Sequence, residues 1–134
     1  MNLDLQGIFD PLLEGVIILD AADRIELVNP EARRLLGAAH DVVPGKTLVE
    51  ALGPDHPVCS VVARVRASGR ASIHDEVDIP QRFENPIPAD VAVSNIGEAP
   101  RGTPAAIAIA MRDRSAARTL REEVSERERQ ESYG

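Results

Sequence analysis

The sequence predicts an α+β fold in which an antiparallel sheet is covered by helices on one face. Three observations lead to this prediction. Residues 14–37 follow the order strand–turn–strand–helix, and residues 103–124 form a long strand that passes directly into a charged helix. Between them, two helical patterns precede further strand patterns. A chain of 134 residues has room for one ordinary domain.

The first part of the chain is typical of a β-hairpin followed by a short helix. Two apolar runs, Val16–Leu19 and Ile25–Val28, are separated by a short turn rich in Asp and Ala. Asn29 suits the position that caps a helix, and Pro30 suits its first turn. Gly37 suits the position just after the helix end.

Two helices are predicted in the middle of the chain, one ending at Gly53 and the other before Gly69. Prolines separate the two segments. Their apolar positions follow helical spacing: Leu48, Ala51 and Leu52 in the first helix, and Val58, Val61, Val62 and Val65 in the second.

Three strands are predicted after these helices. In Ser72–Ile79 the residues Ile73, Asp75, Val77 and Ile79 alternate with polar ones, which predicts one regular strand with an acidic face. Three prolines make 80–88 an irregular connection. Ala89–Ile96 and the segment ending at Asp113 supply the last two strands, and in the second of these Ile107, Ile109 and Met111 alternate with alanines.

The two ends of the chain carry apolar stripes outside these elements. Leu5, Ile8, Phe9 and Leu12 have the spacing of an amphipathic helix. This helix either folds back on the domain or contacts a second copy, and the two roles are compatible. Ala117, Leu120 and Val124 have the 3-then-4 spacing of a heptad seam. That segment is either a solvated tail or the first turns of a connector.

The order of elements and both of its ends resemble a PAS domain over roughly residues 3–125. Asp113-Arg114-Ser115 is similar to the Asp-x-Thr signature at the end of the last PAS strand, with Ser in place of Thr. The resemblance is greatest to the amino-terminal PAS domain of nitrogen-regulation (NtrB-like) sensor histidine kinases. It implies a five-stranded sheet ordered 2-1-5-4-3. It also implies an N-terminal amphipathic helix at 1–13, a PAS domain at 14–113, and the start of a C-terminal connector helix at 114–134.

The resemblance implies a non-catalytic sensory module of a bacterial two-component sensor histidine kinase. It would pair as a homodimer and act on a kinase region in the same chain. A small-molecule or gas receptor and a stand-alone regulatory protein are the alternatives, and the signal is left open. The implied signal-transfer residues are Asp113, Ser115, Leu120 and Val124; the implied structural cap is Asn29; the implied dimer contacts are Leu5, Ile8, Phe9, Leu12 and Ala117.

The sequence contains none of the common catalytic motifs. It has no glycine-rich phosphate loop, no His-Glu-x-x-His, no Gly-x-Ser-x-Gly and no paired cysteines. His40, His56 and His74 lack the helical context of a kinase phosphoacceptor. Cys59 is the single cysteine and lies outside any flavin-type motif, and aromatic residues are 2% of the chain. We therefore expect no enzymatic activity, no metal and no cofactor; an interior small-molecule ligand is allowed but unsupported.

Charge and hydropathy exclude two classes of partner. Residues 1–111 hold nine basic and sixteen acidic side chains, which accounts for the net charge of −7. An acidic domain disfavours nucleic acid, because phosphate binding needs a Lys/Arg surface. No apolar run reaches the roughly 20 residues of a membrane span, and residues 1–15 do not resemble a secretory signal. The expected location is cytoplasmic.

Overall fold

A computed structural model describes residues 14–37, 41–97 and 105–133 of the chain. Its strands are β1 (Gly15–Leu19), β2 (Ile25–Val28), β3 (Ser72–Ile79), β4 (Ile87–Ile96) and β5 (Ala106–Asp113). Its helices are α1 (Pro30–Leu36), α2 (Leu48–Leu52), α3 (Pro57–Ser68) and α4 (Ser115–Tyr133). All strand pairs are antiparallel, in the order β2-β1-β5-β4-β3. The predicted fold class and strand order are therefore confirmed.

One face of the sheet carries the core. Along β5, Ile107, Ile109 and Met111 are completely buried, whereas the alanines between them are only half-buried. This is the two-residue alternation of a strand with one covered face. The helices cover that face with apolar side chains, among them Leu35, Leu36 and Val65.

The hairpin turn is held by an arginine from α3. Asp23 occupies a left-handed conformation with φ 62°. Arg66 Nη2 lies 2.7 Å from Asp23 Oδ1 and 2.9 Å from the carbonyl oxygen of Asp20, and Arg66 also donates to the carbonyl of Ala105. A single side chain thus joins the β1–β2 turn, α3 and the start of the last strand segment.

Strand β3 differs from the regular strand that the sequence predicted. Its pairing with β4 is interrupted between His74 and Val77, and Glu76 has a φ of 49°. The irregularity reverses the side-chain alternation, so that Ile79 is fully buried whereas Ile73 is 75% exposed. Ile73 and Ile79 were expected on one face; a β-bulge places them on opposite faces.

Candidate functional site

Asn29 joins the first strand to the first helix. Its Oδ1 accepts hydrogen bonds from the backbone amides of Ala32 and Val16, each at 2.9 Å, and its Nδ2 donates to the Glu14 carbonyl at 2.8 Å. The residue therefore caps α1 and also ties the helix to β1. Gly15 allows this close approach, because a Cβ there would lie 2.9 Å from the Cα of Ala32.

Helix α1, fixed in this way, carries the side chain that reaches the end of the sheet. The Arg34 guanidinium donates to both carboxylate oxygens of Glu31, at 2.6 and 2.8 Å. Its Nη2 also donates to Asp113 Oδ2 at 2.8 Å. The other carboxylate oxygen of Asp113 accepts the backbone amide of Ser115 at 2.8 Å. One carboxylate thus bonds simultaneously to α1 and to the first residue of α4.

The electrostatics of this junction favour the ionised form of Asp113. Partial burial acts to raise the pKa of its carboxyl group, but hydrogen bonds from Ser115 and Arg34 outweigh the burial, and the pKa is lowered. The pKa of Arg34 is raised by Glu31 and then by Asp113. Both groups therefore remain charged at neutral pH, and their hydrogen bond is charge-assisted.

The first turns of α4 are held against the bulge of β3. Arg118 Nη1 lies 3.3 Å from Asp78 Oδ1, and Arg118 Nε lies 3.6 Å from Glu76 Oε1. Arg121, one turn further on, forms an ion pair with the same Glu76 oxygen. The acidic face predicted for β3 thus includes two side chains, Glu76 and Asp78, that hold the start of this helix.

Neighbouring contacts extend this anchor to β4. Asp90 accepts the backbone amide of Glu76 at 3.0 Å, and its other oxygen lies 3.4 Å from Arg114 Nε. The backbone amide of Arg114 donates to the carbonyl of Pro88 at 2.7 Å. The bulge, β4 and the beginning of α4 therefore share one polar network.

The seam residues of the predicted connector lie beyond this anchored region. Ala117 is half-buried, whereas Leu120 is 61% and Val124 44% exposed. In the part of α4 whose side chains are described, these two are the exposed large hydrophobics. The predicted dimer contacts Leu5, Ile8, Phe9 and Leu12 lie outside the described residues.

The histidines and the cysteine within the described ranges have structural surroundings. His56 is 6% exposed and caps α3 by accepting the Val58 amide at Nδ1, at 3.1 Å. His74 on β3 hydrogen bonds to Ser72 at 2.7 Å. Cys59 is buried, and burial raises the pKa of its thiol to about 11. A thiol with that pKa is almost entirely protonated at neutral pH, so it is a poor nucleophile. His40 lies outside the described residues.

These features, together with the fold, define the class of protein. A family model described as "PAS fold" matches residues 3–114. The chain therefore belongs to the PAS family, as the sequence predicted.

Among characterised proteins, the chain is similar to the sensory histidine kinase/phosphatase NtrB of Rhodobacter capsulatus. The two are 29% identical over 101 residues, which is 75% of this chain and 28% of that kinase. The chain thus spans little more than a quarter of the length of this relative. The predicted resemblance to NtrB-like sensor kinases is confirmed.

Solved structures agree on the fold. The PAS domain of Bordetella pertussis BvgS superposes with a TM-score of 0.59 and 20% identity, covering 93% of this chain and 95% of that one. The PAS domain of the histidine kinase ThkA gives 0.56 and 18%, covering 75% and 99%. At these identities the likeness establishes the architecture alone. Within the described residues, no helix is both long and apolar enough to cross a membrane.

Sequence reasoning found Asp113 and Ser115 and missed Arg34, the ion-pair partner of Asp113. Glu31 and Arg34 stand at the i, i+3 spacing that predicts an ion pair on a helix surface. Nothing local in the sequence connects Arg34 with Asp113, which lies 79 positions away. The same holds for Arg118 and Arg121 with the bulge, because the bulge itself has no composition signal.

Proposed function

We propose that this chain is a non-catalytic sensory module of a two-component sensor histidine kinase, which relays a change in the domain through Asp113 into α4. One observation carries this proposal. The Asp113 carboxylate accepts Arg34 from α1 on one oxygen and the Ser115 amide of α4 on the other. A shift of α1 relative to the sheet would weaken or redirect the first hydrogen bond and so alter the start of α4.

The residues of the junction take distinct roles in this proposal. Asp113 receives the change. Ser115, whose backbone amide donates to Asp113, passes the change on to α4. Leu120 and Val124 are exposed and have heptad spacing. We infer that they meet the same residues of a second copy, with Ala117 at the beginning of the seam, and that the connector leads to a kinase region in cis.

The remaining assignments complete the same picture. The proposal includes the domain boundaries 1–13, 14–113 and 114–134. It also includes a contribution of the first segment to a homodimer, and a cytoplasmic location. We further propose that the core holds no cofactor or metal and that the chain does not bind nucleic acid. The similarity to an NtrB kinase supports this context.

The relay is tested in the kinase that contains this module. Asp113→Ala is expected to change the balance of autophosphorylation, because it removes the acceptor on both sides of the junction. Asp75→Ala is the matched control, because Asp75 is an exposed carboxylate on β3 without a described ion pair. Hydrogen exchange of the α4 amides in the 134-residue chain gives an independent readout, with faster exchange expected near Ser115. Unchanged autophosphorylation and unchanged exchange in Asp113→Ala would refute the relay.

A further inference from the structure

A groove of about 950 Å³ lies on the surface between α1 and the loop joining β3 to β4. Helix α1 and the residue that follows it form one wall, with Pro30, Arg33, Arg34 and Gly37. These positions are spaced i, i+3, i+4 and i+7, so they lie along a single face of the helix. A volume of this size is in the range of sites that hold small organic molecules.

The interior of the groove is largely apolar. Leu36 and Val42 are buried, and Val43 and Ile87 are half-buried. Phe83 stands at the opposite wall with 88% of its surface exposed. A ligand with an apolar body could cover these side chains and release the water in contact with them.

The rim of the groove is cationic in a chain whose net charge is −7. Arg33, Arg34 and Arg82 line the groove, against one acidic lining residue, Glu84. Arg34 is bonded to Glu31 and Asp113, as described above. Within the described ranges, neither Arg33 nor Arg82 forms an ion pair with a carboxylate, and the Arg82 guanidinium lies 5.1 Å from the centre of the Phe83 ring.

The floor of the groove connects it to the sheet. Gln81 Nε2 donates to the carbonyl of Leu35 at 2.7 Å and to that of Ile79 at 3.3 Å. This side chain bridges the last turn of α1 and the end of β3. The Gln81 hydrogen bonds therefore join the two walls of the groove. They help to set the width of the groove, together with the conformation of the loop.

We propose that this groove binds a small organic anion, a carboxylate or phosphate on an apolar body, with Arg33 and Arg82 holding the anionic group. Apolar side chains receive the body of the ligand, and two arginines that form no ion pair within the described residues supply the charge complement. Arg34 lines the same groove and donates to Asp113. An anion bound there therefore competes with Asp113 for its guanidinium. That consequence for signalling depends on the relay proposed above, whereas binding itself does not.

The binding site is tested with the complete 134-residue chain and the fluorescent aromatic sulfonate 1-anilinonaphthalene-8-sulfonate. The double variant Arg33→Gln/Arg82→Gln is expected to weaken its binding about tenfold, or about 1.4 kcal/mol. The control is Arg64→Gln/Arg70→Gln, which removes the same two charges from exposed positions outside the groove. This control is expected to bind within about twofold of the unmodified chain, a difference of about 0.4 kcal/mol. Far-UV circular dichroism and urea midpoints establish that both variants fold.

A matched pair of competitors tests the need for charge. Octanoate is expected to displace the probe, whereas 1-octanol at the same concentration is not. Equal binding by both double variants, or equal displacement by octanoate and octanol, would overturn the proposal. Neither measurement uses a signalling readout. The binding proposal can therefore be refuted while Asp113→Ala still alters the activity of the kinase. The relay proposal can equally be refuted while the groove still binds the probe.

Discussion

Replacing Asp113 by alanine is expected to lower the free energy of unfolding by about 1–2 kcal/mol, the sum of two losses. The Ser115 amide loses its acceptor, which resembles loss of a helix cap and costs about 1 kcal/mol. Arg34 loses an ion pair in which its side chain is 52% and that of Asp113 25% exposed. A pair so accessible to water contributes about 0.2–1 kcal/mol.

Asparagine at this position separates the two contributions. Asp113→Asn keeps an oxygen for the Ser115 amide and removes the charge that Arg34 contacts. It should therefore cost about 0.2–1 kcal/mol, the ion-pair contribution alone. Urea denaturation of both variants, alone and combined with Arg34→Gln, gives the coupling energy as a double-mutant cycle. Equal costs for alanine and asparagine would refute the capping role, and a coupling energy of zero would refute the ion pair.

The dependence of stability on pH provides a second check. The pKa of Asp113 is lowered in the folded state from its ordinary value of 3.8. A lowered pKa means that the stabilisation is fully present above the ordinary value and is lost as the pH falls through the folded value. The difference in urea midpoint between the unmodified chain and Asp113→Asn should therefore be constant from neutral pH down to about pH 5 and shrink below about pH 4. A difference that grew on acidification would contradict this sign.

Three further predictions concern packing, the thiol and assembly. Leu35→Ala, at a completely buried position, should cost about 2–5 kcal/mol in urea unfolding, whereas Val49→Ala, at a position 49% exposed, should change stability by less than about 0.5 kcal/mol; equal costs would contradict the packing described. Cys59 should react slowly with a disulfide reagent at pH 8 in the folded chain and rapidly in urea, because its thiol is buried with a pKa of about 11; fast labelling of the folded chain would show that α3 is open. Deleting residues 1–13 should convert a homodimer to a monomer in sedimentation equilibrium, and a full chain that is monomeric at high micromolar concentration would refute the dimer proposal.

The sequence predicted the elements well where a local pattern specifies them. Asn29 and Pro30 begin α1 as expected, Gly69 follows α3, and Asp113 ends β5. Capping and turn positions depend on side chains within a few residues of each other, so the chain itself contains the information. The family resemblance then supplied the strand order, which no local pattern determines.

Contacts between distant segments could not be predicted in the same way. Arg66 reaches Asp23 across 43 positions, and Arg121 reaches Glu76 across 45. Surface arginines are common in this chain, and no spacing rule indicates which of them meet carboxylates from other elements. The bulge in β3 is a further case, because Glu76 is not a residue type that marks a left-handed conformation. The groove likewise joins distant segments, because Gln81 donates to the carbonyl of Leu35 across 46 positions.

The bulge of β3 also determines how the sheet ends. β2 and β3 are the outer strands of the order β2-β1-β5-β4-β3, and an outer strand offers unpaired amides and carbonyls to any passing strand. β2 is only four residues long, and the amide and carbonyl of its first residue, Ile25, already hydrogen bond to Lys46 and Gly45. β3 is longer, but the turned backbone at Glu76 breaks its row of hydrogen-bonding groups, and the exposed carboxylate of Asp75 lies beside the break. We therefore expect neither edge of the sheet to favour the addition of strands from other molecules, the step by which fibrils grow.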